Sequence, residues 1–90
     1  MEVSKVIIRK LFPSEERVGA FISVVFDDIF VIHDVKIING EKRRFIGFPS
    51  KRDKEGVFHD VAHPIKAEAR ETIEKRIISL YEKEVENIKP

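Results

Sequence analysis

Apolar and polar positions along the chain divide it into two regimes. Val3 to Phe12 is rich in β-branched residues and predicts a strand, followed by a polar connection, Pro13-Ser14-Glu15-Glu16. Val18 to Phe26 alternates, with Val18, Ala20, Ile22, Val24 and Phe26 on one register and Gly19, Phe21, Ser23 and Val25 on the other. Neither register is clearly polar. Asp27-Asp28 predicts a two-residue turn. Ile29 to Ile38 resumes as a strand, with Ile29, Val31, His33, Val35 and Ile37 on one face. Asn39-Gly40 is a further turn signal. Arg44 to Phe48 is a short fourth strand ended by Pro49, and Val57 to Val61 is a candidate fifth. After Pro64 the period changes. Ala69, Ile73, Ile77, Leu80, Tyr81 and Glu84 fall on one helical stripe, in a helix starting near Lys66 or Ala67. Glu68 and Glu71 suit its positive end. The stripe needs a sheet to cover. The fold class is therefore α+β: an antiparallel sheet of about five strands packed against one C-terminal helix, in a single domain over 1–90. Such a sheet leaves edges and an apolar face exposed, and homodimerisation is the usual remedy.

Composition narrows the chemistry. The 90 residues contain no Cys, which excludes a disulfide scaffold, a thiol enzyme and a Cys-ligated metal site. The apolar runs are far shorter than the ~20 residues of a membrane span. No basic-then-apolar leader opens the chain, so a cytoplasmic protein is expected. Charge is high but balanced, 17 Lys and Arg against 16 Asp and Glu. It is not evenly spread: residues 41–54 hold six basic and two acidic groups, for +4. Lys51, Arg52 and Lys54 project from the loop Pro49–Gly56, with Arg43 and Arg44 upstream. A cationic loop is a ready contact for a phosphate backbone. The plainer account is a solvated turn whose charges only aid solubility. Phe45, Phe48 and Phe58 flank this loop. They would stack bases if exposed, but Phe in a short strand is usually buried, so a core role is expected.

The histidines offer little for catalysis. His59-Asp60-Val61-Ala62-His63 and His33-Asp34 suggest metal ligation, but Pro64 biases His63 to an extended backbone, so no metal site is expected. His33 is expected buried and neutral, paired to Asp34 or Asp60. Ser50 has no base nearby in sequence and no glycine-bracketed elbow, and four Gly form neither a P-loop nor a dinucleotide fingerprint. No cofactor is implied and no enzyme is expected.

Three segments form a recognisable set: Phe30-Val31-Ile32-His33-Asp34-Val35, Phe45-Ile46-Gly47-Phe48-Pro49-Ser50-Lys51-Arg52, and Gly56-Val57-Phe58-His59-Asp60-Val61-Ala62-His63-Pro64-Ile65. Together with Met1-Glu2-Val3 and Ser23-Val24-Val25-Phe26-Asp27, this set resembles the SpoVG family over essentially the whole chain. The resemblance implies a small cytoplasmic, homodimeric bacterial protein with a sheet and a C-terminal helix. It implies roles in sporulation, in division septation within the cell cycle, and in gene regulation through DNA and RNA binding. It places binding on the basic pair after Pro-Ser, here Lys51 and Arg52. Three positions depart from the family's pattern, one of them Glu55, which stands where Asp is common before the Gly. Asp53 stands where Thr is common, putting a negative charge beside the basic pair, and His59 stands where Arg often precedes the later Asp. The alternative function is a protein-interaction module of the division machinery that does not touch nucleic acid.

Overall fold

A computed structural model describes residues 1–88. Six strands precede one helix: β1 (Val3–Leu11), β2 (Val18–Phe26), β3 (Phe30–Asn39), β4 (Arg44–Gly47), β5 (Ser50–Arg52), β6 (Phe58–Asp60) and α1 (Ala67–Ile88). β1 to β4 form an antiparallel meander in sequence order, and β5 pairs with β6 in a separate two-stranded ribbon. The arrangement is α+β, with the strands divided four and two rather than gathered into one sheet of five. Among the described residues, no helix is long and apolar enough to cross a membrane.

The core lies between one sheet face and the helix. β2 contributes Ala20, Ile22, Val24 and Phe26, the register that alternation predicts, and α1 answers with Ile77 and Tyr81. Ile73, Leu80 and Val85 extend the helical seam. Ala69 is exposed, because the first turns of α1 carry it out of the sheet-covered stripe. The helix also serves both edges of the sheet. Ile46 N–H donates to Glu74 Oε1 at 3.3 Å, and Arg76 Nε donates to Val3 O at 3.3 Å. Edge groups that would otherwise invite another strand are thereby engaged from within the chain.

The β2–β3 connection is a tight turn at the expected place. Asp27 and Asp28 have φ of 52° and 57°, and Ile29 N–H donates to Phe26 O at 3.0 Å. Two successive positive φ values fit a primed turn, whose twist matches that of the flanking strands.

One irregularity overturns the simple face assignment in β3. Ile22 faces Val35 but Val24 faces Ile32, so His33 and Asp34 together oppose Ser23. This is a β-bulge, with Asp34 at φ 60°. The extra residue reverses the alternation. Ile32 packs toward the core before the bulge, and Val35 and Ile37 do so after it, while Val31 and His33 turn outward. His33 is therefore exposed rather than buried. Its Nδ1 lies 2.8 Å from Ser23 Oγ, not on Asp34 or Asp60. Ser23 Oγ also accepts from Arg9 Nε at 3.0 Å.

Candidate nucleic-acid interface

The segment expected as a basic loop is the ribbon formed by β5 and β6. Ser50 faces Asp60, Lys51 faces His59 and Arg52 faces Phe58. Every residue of both strands is exposed, so the ribbon projects as an arm. Val61 N–H donates to Pro49 O at 2.7 Å and closes its root. At its tip Gly56 has φ 84°, a conformation that side chains disfavour, and its N–H donates to Asp53 O at 3.1 Å.

Asp53 builds this turn. Its Oδ1 accepts from the N–H groups of Glu55 and Val57, each at 2.9 Å. Its Oδ2 lies 2.7 Å from His59 Nε2. The His59 bond, followed by the backbone donors, holds the Asp53 carboxyl below the usual carboxylate range. Two of the positions that depart from the family's pattern, Asp53 and His59, thus touch each other. The negative charge beside the basic pair is occupied with the arm's own turn.

Strand alternation decides how the cations are displayed. Lys51 shares one ribbon face with His59, and Arg52 lies on the other with Phe58. The Arg52 guanidinium sits 5.5 Å from the Phe58 ring centroid. Among the described residues, neither Lys51, Arg52 nor Lys54 has a carboxylate within ion-pair distance.

The upstream cations stand elsewhere. Arg44 opens β4 and is tied to the helix: its Nη1 lies 2.6 Å from Glu82 Oε2, its Nε donates to Asn39 Oδ1 at 3.3 Å, and its guanidinium is 5.6 Å from the Tyr81 ring centroid. Arg43 faces α1, where its charge helps Lys75 to hold the Glu71 carboxyl below its ordinary range. The local excess of +4 in sequence therefore separates into an arm and a strand-to-helix tether.

The flanking phenylalanines also divide. Phe48 packs against the core under Arg70, whose guanidinium is 5.3 Å from its ring centroid. Phe58 is 66% exposed, and Phe45 is exposed as well, so two of the three rings expected in the core lie outside it. The three imidazoles go to three different partners: His33 to Ser23, His59 to Asp53, and His63 Nδ1 to the carbonyl of Pro64 at 3.0 Å.

Beside the arm runs an apolar groove of about 450 Å³. Phe26, Phe30, Ile32, Phe48, Ile65 and Ile73 line it. The strand pattern gave no warning of it, because the segment 61–66 that walls it has no regular secondary structure. The nearest signal was the apolar Val61, Ala62 and Ile65 around His63-Pro64.

Comparison with known proteins supports the motif-based reading. The SpoVG family model matches residues 1–83. The chain belongs to the SpoVG family. Relatives named "Putative septation protein SpoVG" align over nearly their full length. One from Caldicellulosiruptor bescii is 48% identical over 82 residues, covering 91% of this chain and 92% of the relative. One from Agathobacter rectalis is 41% identical over 88 residues, 98% of this chain and 100% of the relative. One from Caldanaerobacter subterraneus subsp. tengcongensis is 45% identical over 87 residues, 97% of this chain and 94% of the relative. The arm, the bulge and the helix as far as residue 83 therefore lie inside the SpoVG match.

Proposed function

We propose that this SpoVG-family chain is a cytoplasmic, homodimeric regulator of division septation that binds DNA or RNA through the 49–61 arm, acting by binding rather than catalysis. The septation role rests on the names of its relatives. The observation that supports nucleic-acid binding is the set of exposed arm cations without carboxylate partners, Lys51, Arg52 and Lys54, displayed on both faces of a narrow ribbon. A two-stranded ribbon fits the major groove, which is ~12 Å wide with phosphates along both walls. Cations on opposite faces of such a ribbon address opposite walls. Dimerisation is supported by the apolar groove and by the exposed side chains around it, including Phe30 and Ile65. A second copy covering that surface would present two arms.

The test is fluorescence anisotropy with mixed-sequence DNA and RNA, comparing wild type with Lys51→Ala/Arg52→Ala. Sedimentation establishes that both proteins remain folded dimers. Four cations are lost per dimer, so the log–log salt slope should flatten by ~3.6, at ~0.9 per phosphate contact. Equal salt slopes in wild type and variant would sink the arm as the site. A wild type that binds neither probe at low salt would leave the second reading, in which the apolar groove docks a protein of the division machinery.

A further inference from the structure

The four-stranded sheet has one face that the helix does not cover, and its surface is not the apolar one that a missing layer would leave. Cross-strand partners share a face, so the register defines its rows. Lys10, Phe21 and Lys36 form one row across β1, β2 and β3. Lys5, Val25 and Val31 form another. Between them lies a polar pad, with fully buried Ser23 holding Arg9 at 3.0 Å and His33 at 2.8 Å. The bulge is what turns His33 onto this pad.

Phe21 stands at the centre of the cationic row, 38% exposed. Phe12 meets it edge to face, with centroids 5.0 Å apart and rings at 82°. Lys10 Nζ lies 5.1 Å from the Phe12 centroid. Strands are spaced ~5 Å apart, so Lys10 and Lys36 flank the Phe21 ring at close range on either side. The charged groups that the register and the adjoining hollow place here are Lys5, Arg9, Lys10 and Lys36, opposed by Asp34. That is four cations to one anion, in a chain whose formal net charge is only +1.

This face is also continuous with the arm. A concavity of about 260 Å³ joins Phe21, Asp34 and Lys36 to Phe48, Pro49 and Ser50, the root of the ribbon. Lys51 is the next residue along.

We propose that the open sheet face is a stacking platform for single-stranded nucleic acid, with a base on Phe21 and the adjoining phosphates on Lys10 and Lys36. The proposal builds on the nucleic-acid reading above and adds a second surface and a strand preference. Exposed aromatics interleaved with cations are what unpaired bases and their backbone recognise together. A duplex hides its base faces and cannot use the ring. A second protein copy fits less well, because protein interface cores are depleted in charged groups and this face places them at its centre.

The chain contains no Trp, so Phe21→Trp introduces a single reporter at the platform. Its emission should be quenched by single-stranded oligo-dT and unaffected by a duplex of equal length. Phe21→Leu keeps apolar bulk but removes the ring. It should weaken oligo-dT binding by ~5- to 100-fold, the stacking contribution of one base, and leave duplex affinity within about twofold. Lys10→Glu/Lys36→Glu alters two exposed side chains and should reproduce the single-strand loss without unfolding the sheet. Unchanged oligo-dT affinity in Phe21→Leu overturns the proposal. So does an equal loss on both probes, or a shift in oligomeric state, which would make the face an interface between copies. The arm is tested separately in the same titrations. If Lys51→Ala/Arg52→Ala binds both probes as wild type does while Phe21→Leu loses only oligo-dT, the arm reading falls and the platform stands. If wild type binds neither probe, both fall.

Discussion

Arg44→Ala distinguishes the tether from the arm within one basic run of sequence. The guanidinium has three partners, and each can be given a magnitude. The ion pair with Glu82 is short at 2.6 Å, but its side chains are 40% and 53% exposed, so solvent screening limits it to ~0.2–1 kcal/mol. The placement over Tyr81, at 5.6 Å, adds ~0.5–1 kcal/mol. The bond to Asn39 at 3.3 Å is long and contributes ~0.5 kcal/mol. Ordering a long side chain offsets part of this, leaving ~1–2 kcal/mol. For a domain of this size each kcal/mol moves Tm by ~4–8 °C, so thermal unfolding followed by circular dichroism should fall by ~5–15 °C. A double-mutant cycle with Glu82→Ala should return ~0.2–1 kcal/mol of coupling. The Tyr81 phenol, already raised by burial and partly restrained by the Arg44 charge, should rise further, and as the sole tyrosine it is readable by absorbance. Nucleic-acid affinity and its salt slope should barely move. An unchanged Tm, together with a binding loss equal to that of Lys51→Ala/Arg52→Ala, would refute the reasoning.

Two further outcomes follow from the geometry. Ile77→Ala empties a fully buried site under the sheet and should cost ~2–5 kcal/mol, lowering Tm by ~10–30 °C; a variant that melts like wild type would mean that the helix does not seat there. Asp53 has a folded pKa below the ordinary aspartate value of 3.8, so its support for the arm is complete above that value and is lost as pH falls through the lowered folded pKa. The Glu55 and Val57 amide resonances should titrate together with a midpoint below 3.8, and a midpoint at or above it would contradict the hydrogen bonding described.

What the sequence revealed depended on how local each signal was. The helix was legible because its stripe repeats over several turns, and Ile77 and Tyr81 fall where the period puts them. β2 was legible from Ala20 to Phe26, where its alternation runs unbroken on the core side, but the register shift at Gly19 takes Val18 off that face. Asp27-Asp28 was legible because the turn needs only its own two residues. The bulge was not, since pairing two residues against Ser23 is a property of two strands, and His33 was misplaced with it. Asn39 was read as a turn residue. It ends β3 instead, and its side chain donates to Glu16 O at 2.8 Å across the β1–β2 connection. For the arm, the residue types were right and the geometry was not: Ser50-Lys51-Arg52 looks like a loop because three polar residues carry no strand pattern. Its pairing with Phe58–Asp60 depends on a turn closed by Asp53, a residue that by charge alone reads as interference.

The bulge in β3 also bears on how this chain can be aligned or shortened. Removing one residue at 33 or 34 alters composition trivially and leaves every neighbouring letter intact. The half-strand before it would keep its faces, because a single residue between Ile32 and Val35 restores plain alternation with Phe30 and Ile32 on the core side, whereas removing residue 31 with the bulge kept would bring Ile29 inward and expel Phe30. A gap placed at 33 or 34 in comparing two sequences is therefore a statement that one strand lacks the bulge and one of the two residues opposite Ser23, while a gap elsewhere in β3 is a statement that the upstream residues change faces.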